Sequence, residues 1–176
     1  MREAIASRLL VAGIGNVFLG DDGFGVEVVA RLSRRPLPTT VEVADFGIRG
    51  FDLAYALMEG YQAAVLVDAL PRGGQPGELF VVEPDMEQLE DFGGPAVADG
   101  HGMDPVTVLK MVRQFGGTPP RLYVVGCEPA SLGGEQGEMG LSPPVEAALD
   151  GAVELVEDLV RRLLAPVEAG LQREVS

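Results

Sequence analysis

A chain of 176 residues with 47% hydrophobic side chains fits one domain and closes a core without covalent staples, which excludes disorder for its bulk. Its single cysteine excludes an intrachain disulfide and points to a reducing, cytoplasmic setting. Acidic residues outnumber basic ones 27 to 13, a net charge of −14, which speaks against nucleic acid and anionic membranes and suits a metal cation, a basic protein segment or plain solubility.

The first predicted element is a strand over 8–14, whose residues from Leu9 on form an uncharged apolar run of the kind buried on both faces of a sheet. It is too short to span a bilayer, short for a signal-peptide core, and followed by no small-residue cleavage site. Glycines break it, and the acid pair Asp21-Asp22 opens a helix whose Val26, Val29, Ala30 and Leu32 fall at helical spacing. Pro36 and Pro38 end that helix. A second strand over 40–44 leads into Asp45-Phe46-Gly47-Ile48-Arg49-Gly50, and a helix follows over 51–58. A third strand over 63–67 delivers Asp68 to a loop. The turn 71–77 then joins a fourth strand over 78–83, which has no crossover helix before it and is expected to run antiparallel to its neighbour.

Residues 84–103 read as a long loop with one short helix near 86–90, and hold the only histidine, His101. A helix over 105–115 and a strand over 121–125 follow. Ser142-Pro143 marks a cap with proline at the first helical position. The last helix carries the stripe Val145, Ala148, Leu149, Ala152, Val153, Val156, Leu159, Val160 and Leu163. The end, 166–176, is expected to fray. Alternating strands and helices give a single α/β domain over 1–176: a mostly parallel, five-stranded twisted sheet with one antiparallel strand and helices on both faces.

In such a sheet, ligands sit at the carboxyl ends of the strands. Several candidates converge there. Gly13-x-Gly15 invites a dinucleotide reading, but the third glycine of that fingerprint falls on Phe18, and Asp45 comes later than the expected ribose acid. Asp21 and Asp22 read either as helix caps or, being adjacent and repulsive, as a pair awaiting a cation. Asp68 follows an apolar run, so its carboxylate must be hydrogen-bonded, paired or metal-bound. His101 sits between two glycines before a helix. Asp22, Asp68 and His101 together make a mixed oxygen–nitrogen site for a divalent transition ion such as nickel or zinc. Cys127 reads as a small buried residue, with a nucleophile as the alternative.

Gly13-Ile14-Gly15-Asn16 followed by Asp21-Asp22-Gly23-x-Gly25 resembles the opening of the nickel–iron hydrogenase maturation endopeptidases. The resemblance continues through Asp45-Phe46-Gly47, Val65-Leu66-Val67-Asp68-Ala69, His101, Gly126-x-Glu128-Pro129 and Gly140-Leu141-Ser142-Pro143, and so covers nearly the whole chain. It implies a protease that clips a C-terminal extension from the hydrogenase large-subunit precursor once nickel has been inserted. The family's metal-contacting positions fall on Asp22, Asp68 and His101. Asp22 stands where the family often has glutamate, with a side chain one carbon shorter. The nickel is expected to be carried by the substrate, with zinc or cadmium able to occupy the site in vitro. Asp22 or Asp68 is the expected general base, and Asp45, Gly47 and Arg49 the expected substrate contacts. A cytoplasmic monomer with no nucleic-acid or membrane partner is the expectation. The alternative of another class is a nickel-binding maturation chaperone without proteolytic activity.

Overall fold

The computed structural model describes residues 7–85, 87 and 103–166. A five-stranded sheet runs β2-β1-β3-β5-β4. Its strands are β1 (Leu9–Ile14), β2 (Val41–Gly47), β3 (Ala63–Ala69), β4 (Leu79–Val82) and β5 (Arg121–Cys127). All neighbours are parallel except β4, which lies antiparallel on β5 with Leu79 opposite Cys127 and Val82 opposite Val124. The fourth strand is thus antiparallel as expected. Its partner is a strand far along the chain, with β5 standing between it and β3.

Both central strands, β1 and β3, are buried at every residue, as their uninterrupted apolar runs require. Side-chain alternation divides them between two cores. On one face Leu9, Val11, Val65 and Val67 meet α1 (Phe24–Leu32) and α4 (Pro143–Leu164). On the other, Leu10, Ala12, Ile14 and Leu66 meet α2 (Gly50–Leu57) and α3 (Pro105–Gln114). Each such leucine contributes about 1.5–3 kcal/mol by leaving water. The α4 stripe behaves as its spacing predicts, burying Val145, Leu149, Ala152, Val153, Val156 and Val160. No helix among the described residues is long and apolar enough to cross a membrane.

Several boundaries differ from the sequence expectation. The helix expected from Asp22 begins at Phe24, after a 3₁₀ turn over Gly20–Gly23, and its buried stripe is Phe24, Val28, Val29 and Leu32. Ala30 is exposed and Val26 only half-buried. The true stripe starts two residues earlier, on an aromatic ring that the glycines around it disguise. β2 continues through Asp45 to Gly47, and β5 continues to Cys127. The short helix expected near 86–90 lies outside the described residues except for Glu87, and the tail beyond Pro166 also lies outside them.

From β1 the chain goes outward to β2 through α1 on one face. It then passes back over β1 to β3 through α2 on the other. The crossovers therefore part between the carboxyl ends of β1 and β3, and a crevice opens at such a switch point.

Candidate functional site

Glycines bring the acid-bearing turn onto that switch point. A Cβ at Gly25 would stand 2.1 Å from the Val67 carbonyl oxygen and 2.4 Å from that of Ile14. One at Gly13 would stand 2.5 Å from the Gly25 carbonyl oxygen. The start of α1 therefore lies backbone against backbone on the ends of β1 and β3. Gly15, at φ +136°, turns the chain so tightly that a Cβ there would fall 1.7 Å from the Asp22 carbonyl oxygen. The glycines that invited a dinucleotide reading are taken up by this packing.

The two acids of the turn then take different partners. Asp22 is half-buried, and its carboxylate accepts the Asn16 N–H at 2.8 Å. Burial pushes its carboxyl above the ordinary aspartate value, against the effect of that N–H. Asp68, near the end of β3, is only 3% exposed. Burial first, then the negative charges of Asp22 and Asp104, push its carboxyl well above the ordinary value, although the Ala69 N–H favours the charged form. Asp22 and Asp68 thus sit in one electrostatic field. Among the described residues neither forms an ion pair. A buried carboxylate beside a half-buried one, with no counter-charge among the described residues, favours either a proton or a cation.

His101 lies outside the described residues. Among the described residues no three His, Cys, Asp or Glu side chains gather as a metal cage, so the pair stands there without a third ligand. The chain is described again from Met103. The Met103 sulfur fills the space over Gly50, where a Cβ would stand 2.1 Å from it. Asp104 caps α3, accepting the Thr107 N–H at 2.9 Å and its hydroxyl at 3.0 Å.

Asp45 and Gly47 lie beside the β1 turn. A bulge lets Gly13 pair with Asp45 and Ile14 with Gly47, and Gly47, at φ +51°, accepts the Gly15 N–H at 3.0 Å. The Asp45 carboxylate is exposed. Arg49 folds back on its own loop, donating to the Asp45 carbonyl and pairing with Asp52 at 3.5 Å.

Asp21, expected as a helix cap or as half of a pair awaiting a cation, has a different role. Neither acid's side chain caps the 3₁₀ turn or α1. Instead the Asp21 carboxylate is fully buried and accepts the Ala130 N–H at 2.8 Å, the Ser131 N–H at 3.0 Å, the Ser142 N–H at 2.7 Å and the Ser142 hydroxyl at 2.9 Å. Burial pushes this carboxyl up, but the donors of Ser142, Ser131 and Ala130 outweigh it and hold it below the ordinary value. Ser142 does occupy the N-cap of α4, yet its hydroxyl serves Asp21 and leaves the helix end uncapped by a side chain. Only the adjacency of two acids hinted at this in the sequence, since the donors come from more than a hundred residues away.

Cys127 is the small buried residue its surroundings suggested. Burial, together with the charges of Asp21 and Glu128, pushes its thiol up to about 11, which leaves almost no thiolate at neutral pH. Cys127→Ala is expected to cost roughly 1 kcal/mol of stability and to leave peptidase activity at the wild-type rate. A lost rate at full folding would return the thiol to the chemistry.

The hydrogenase maturation protease family model matches residues 26–159. The hydrogenase 2 maturation protease of Escherichia coli is 33% identical over 155 residues, covering 85% of this chain and 88% of the relative. Among solved structures, the hydrogenase maturating endopeptidase of E. coli superposes with a TM-score of 0.71 at 31% identity, covering 89% of this chain and 93% of that one. A hydrogenase 2 maturation peptidase from a Thaumarchaeota archaeon gives 0.66 at 34% identity, covering 90% and 99%. With the family model spanning most of the chain and relatives aligned over nearly their whole lengths, this chain belongs to the hydrogenase maturation proteases and is a peptidase.

Proposed function

We propose that this peptidase removes the C-terminal extension of the nickel–iron hydrogenase large-subunit precursor after nickel insertion, and that Asp22, Asp68 and His101 recognise the nickel the precursor carries. The observation that carries this reading is Asp68. It is a buried carboxylate at the switch point, pushed up by burial and by Asp22, with no cation paired to it among the described residues. A divalent ion arriving with the substrate relieves that repulsion. The same oxygen donors accept zinc or cadmium in vitro. Asp45, Gly47 and Arg49, on the loop beside Gly15, are the proposed contacts for the substrate chain. The setting is cytoplasmic, and the enzyme acts as a monomer on its precursor.

The ion supplies positioning and polarisation of the scissile carbonyl. Asp22 has the exposed face of the pair and is the proposed general base. It takes a proton from water as the water oxygen bonds the carbonyl carbon, and returns it to the nitrogen as the carbon–nitrogen bond breaks. Asp68, nearly closed to water, fixes where the ion docks.

The test is intact-mass measurement of nickel-loaded precursor incubated with the protein. The expected result is loss of the C-terminal peptide with the wild type and none with His101→Ala. Full processing by His101→Ala would remove His101 from the site. Nickel transfer with no change in precursor mass would favour a metal chaperone instead.

A further inference from the structure

The 3₁₀ turn Gly20–Gly23 that holds Asp22 lacks a side-chain cap; within the segment the Asp22 N–H donates to the Leu19 carbonyl at 3.2 Å and its carboxylate accepts the Asn16 N–H at 2.8 Å. Its neighbour Asp21 supplies further anchorage. Backbone bonds zip this turn to the loop after β5: Glu138 N–H to Phe18 carbonyl at 2.8 Å, Gly20 N–H to Glu138 carbonyl at 2.7 Å, and Asp21 N–H to Ser131 carbonyl at 2.9 Å. At the centre the Asp21 carboxylate gathers its donors from Ala130, Ser131 and Ser142. Ser142 is the N-cap of α4, the longest helix described, whose buried face packs into the same core as α1 and β3.

We propose that Asp21 is a positioning residue, setting the place of Asp22 over the end of β3 by tying the 3₁₀ turn to the first turn of α4. This rests on the reading of Asp22 as a contact to the nickel of the substrate. The geometry needs a carboxylate. One Asp21 oxygen takes the Ala130 and Ser131 N–H groups and the Ser142 hydroxyl, while the other takes the Ser142 N–H. An asparagine offers one accepting oxygen, and its amino group would face an N–H donor whichever way it is turned. Asp21→Asn therefore breaks the tie without changing side-chain size, and lets the turn with Asp22 move away from Asp68.

The test compares four forms of the full chain well below their melting points: wild type, Asp21→Asn, Asp22→Asn and Val153→Ala. Val153 is a core residue of α4 and serves as a control for lost stability alone. The readouts are the dissociation constant for nickel(II) alone, by calorimetry, and kcat/KM on nickel-loaded precursor. Asp21→Asn is expected to weaken nickel binding and kcat/KM at least tenfold, with Val153→Ala within twofold of wild type. If Asp22→Asn loses nickel binding while Asp21→Asn keeps it and its rate, the positioning role is overturned and the metal reading stands. If Asp22→Asn binds nickel as the wild type does, the metal reading falls and this inference with it. If Asp21→Asn does not fold, Ser142→Ala, which removes one donor and keeps the carboxylate, carries the test. A two- to fivefold loss is expected there, and wild-type binding overturns the role.

Discussion

Asp68→Asn is expected to raise the melting temperature of the metal-free protein while abolishing its processing of precursor. In the folded chain the Asp68 carboxyl is held well above its ordinary value of 3.8, by burial and then by the charge of Asp22. The native state therefore holds that proton more tightly than the unfolded state does. Folding stability then falls as the pH rises from about the unfolded value through the raised one, and the full penalty stands above it. An asparagine keeps an oxygen for the Ala69 N–H and carries no charge. The gain at neutral pH is on the order of 1–2 kcal/mol, or roughly 2–8 °C for a domain of this size. The difference between variant and wild type cancels the acids that Asp68 does not touch electrostatically, so it reports Asp68 together with its coupling to Asp22. It should vanish near pH 4 and grow toward neutrality in the presence of a chelator. A variant less stable than wild type at neutral pH would contradict the assignment of Asp68 as an uncompensated buried charge. In parallel melts without the chelator, nickel should stabilise the wild type and leave Asp68→Asn unmoved, because a ligand that binds the native state in preference to the unfolded one raises stability.

The second large effect is structural. Gly25→Ala places a methyl group 2.1 Å from the Val67 carbonyl oxygen and 2.4 Å from the Ile14 carbonyl oxygen. Both obstacles are backbone atoms of central strands buried at every residue, so neither can swing aside. The helix must lift instead, opening the contacts of Phe24, Val28 and Leu32 with the sheet. The expected loss is about 3 kcal/mol or more, roughly 6–12 °C in melting temperature. The 3₁₀ turn precedes this helix directly, so Asp22 moves with it and processing falls as well. Gly134→Ala is the matched control, since nothing lies within 4 Å of a Cβ there and the residue does not adopt positive φ. It should stay within about 0.5 kcal/mol of the wild type. A Gly25→Ala protein that melts and processes like the wild type would mean that the close approach of α1 to the sheet does not hold the site.

What could be read from the chain alone depended on whether the cause of a feature was local. β1 and β3 declare themselves because strands covered on both faces need uninterrupted apolar runs. α4 declares itself because nine apolar residues keep one helical period over several turns. Asp68 was legible as a candidate for the same reason, an acid at the end of such a run. The continuation of β2 through Asp45 to Gly47 was not legible, because a bulge opposite Gly13 and Ile14 makes it, and a bulge belongs to the pair of strands. The partner of β4 was not legible either, since β5 lies some forty residues further along. Asp21 is the sharpest case. Beside Asp22 it looks like one half of a charge pair, yet it is a buried acceptor for donors brought by a distant loop and helix. The glycines of the opening motif carry the family resemblance, but the reason for them is not legible in the sequence. Their spacing resembles a phosphate-binding turn, but they answer to the carbonyls of Ile14, Asp22, Gly25 and Val67.

Nickel borne by the precursor is proposed to meet Asp22, Asp68 and His101. Nickel-edge X-ray absorption on nickel-loaded precursor, mixed with excess protein and frozen before cleavage is complete, tests it most directly. Added oxygen and nitrogen scattering with an imidazole contribution is expected, and His101→Ala should remove the imidazole part. A nickel spectrum identical to that of the precursor alone, in a sample whose mass shows cleavage under way, would contradict it.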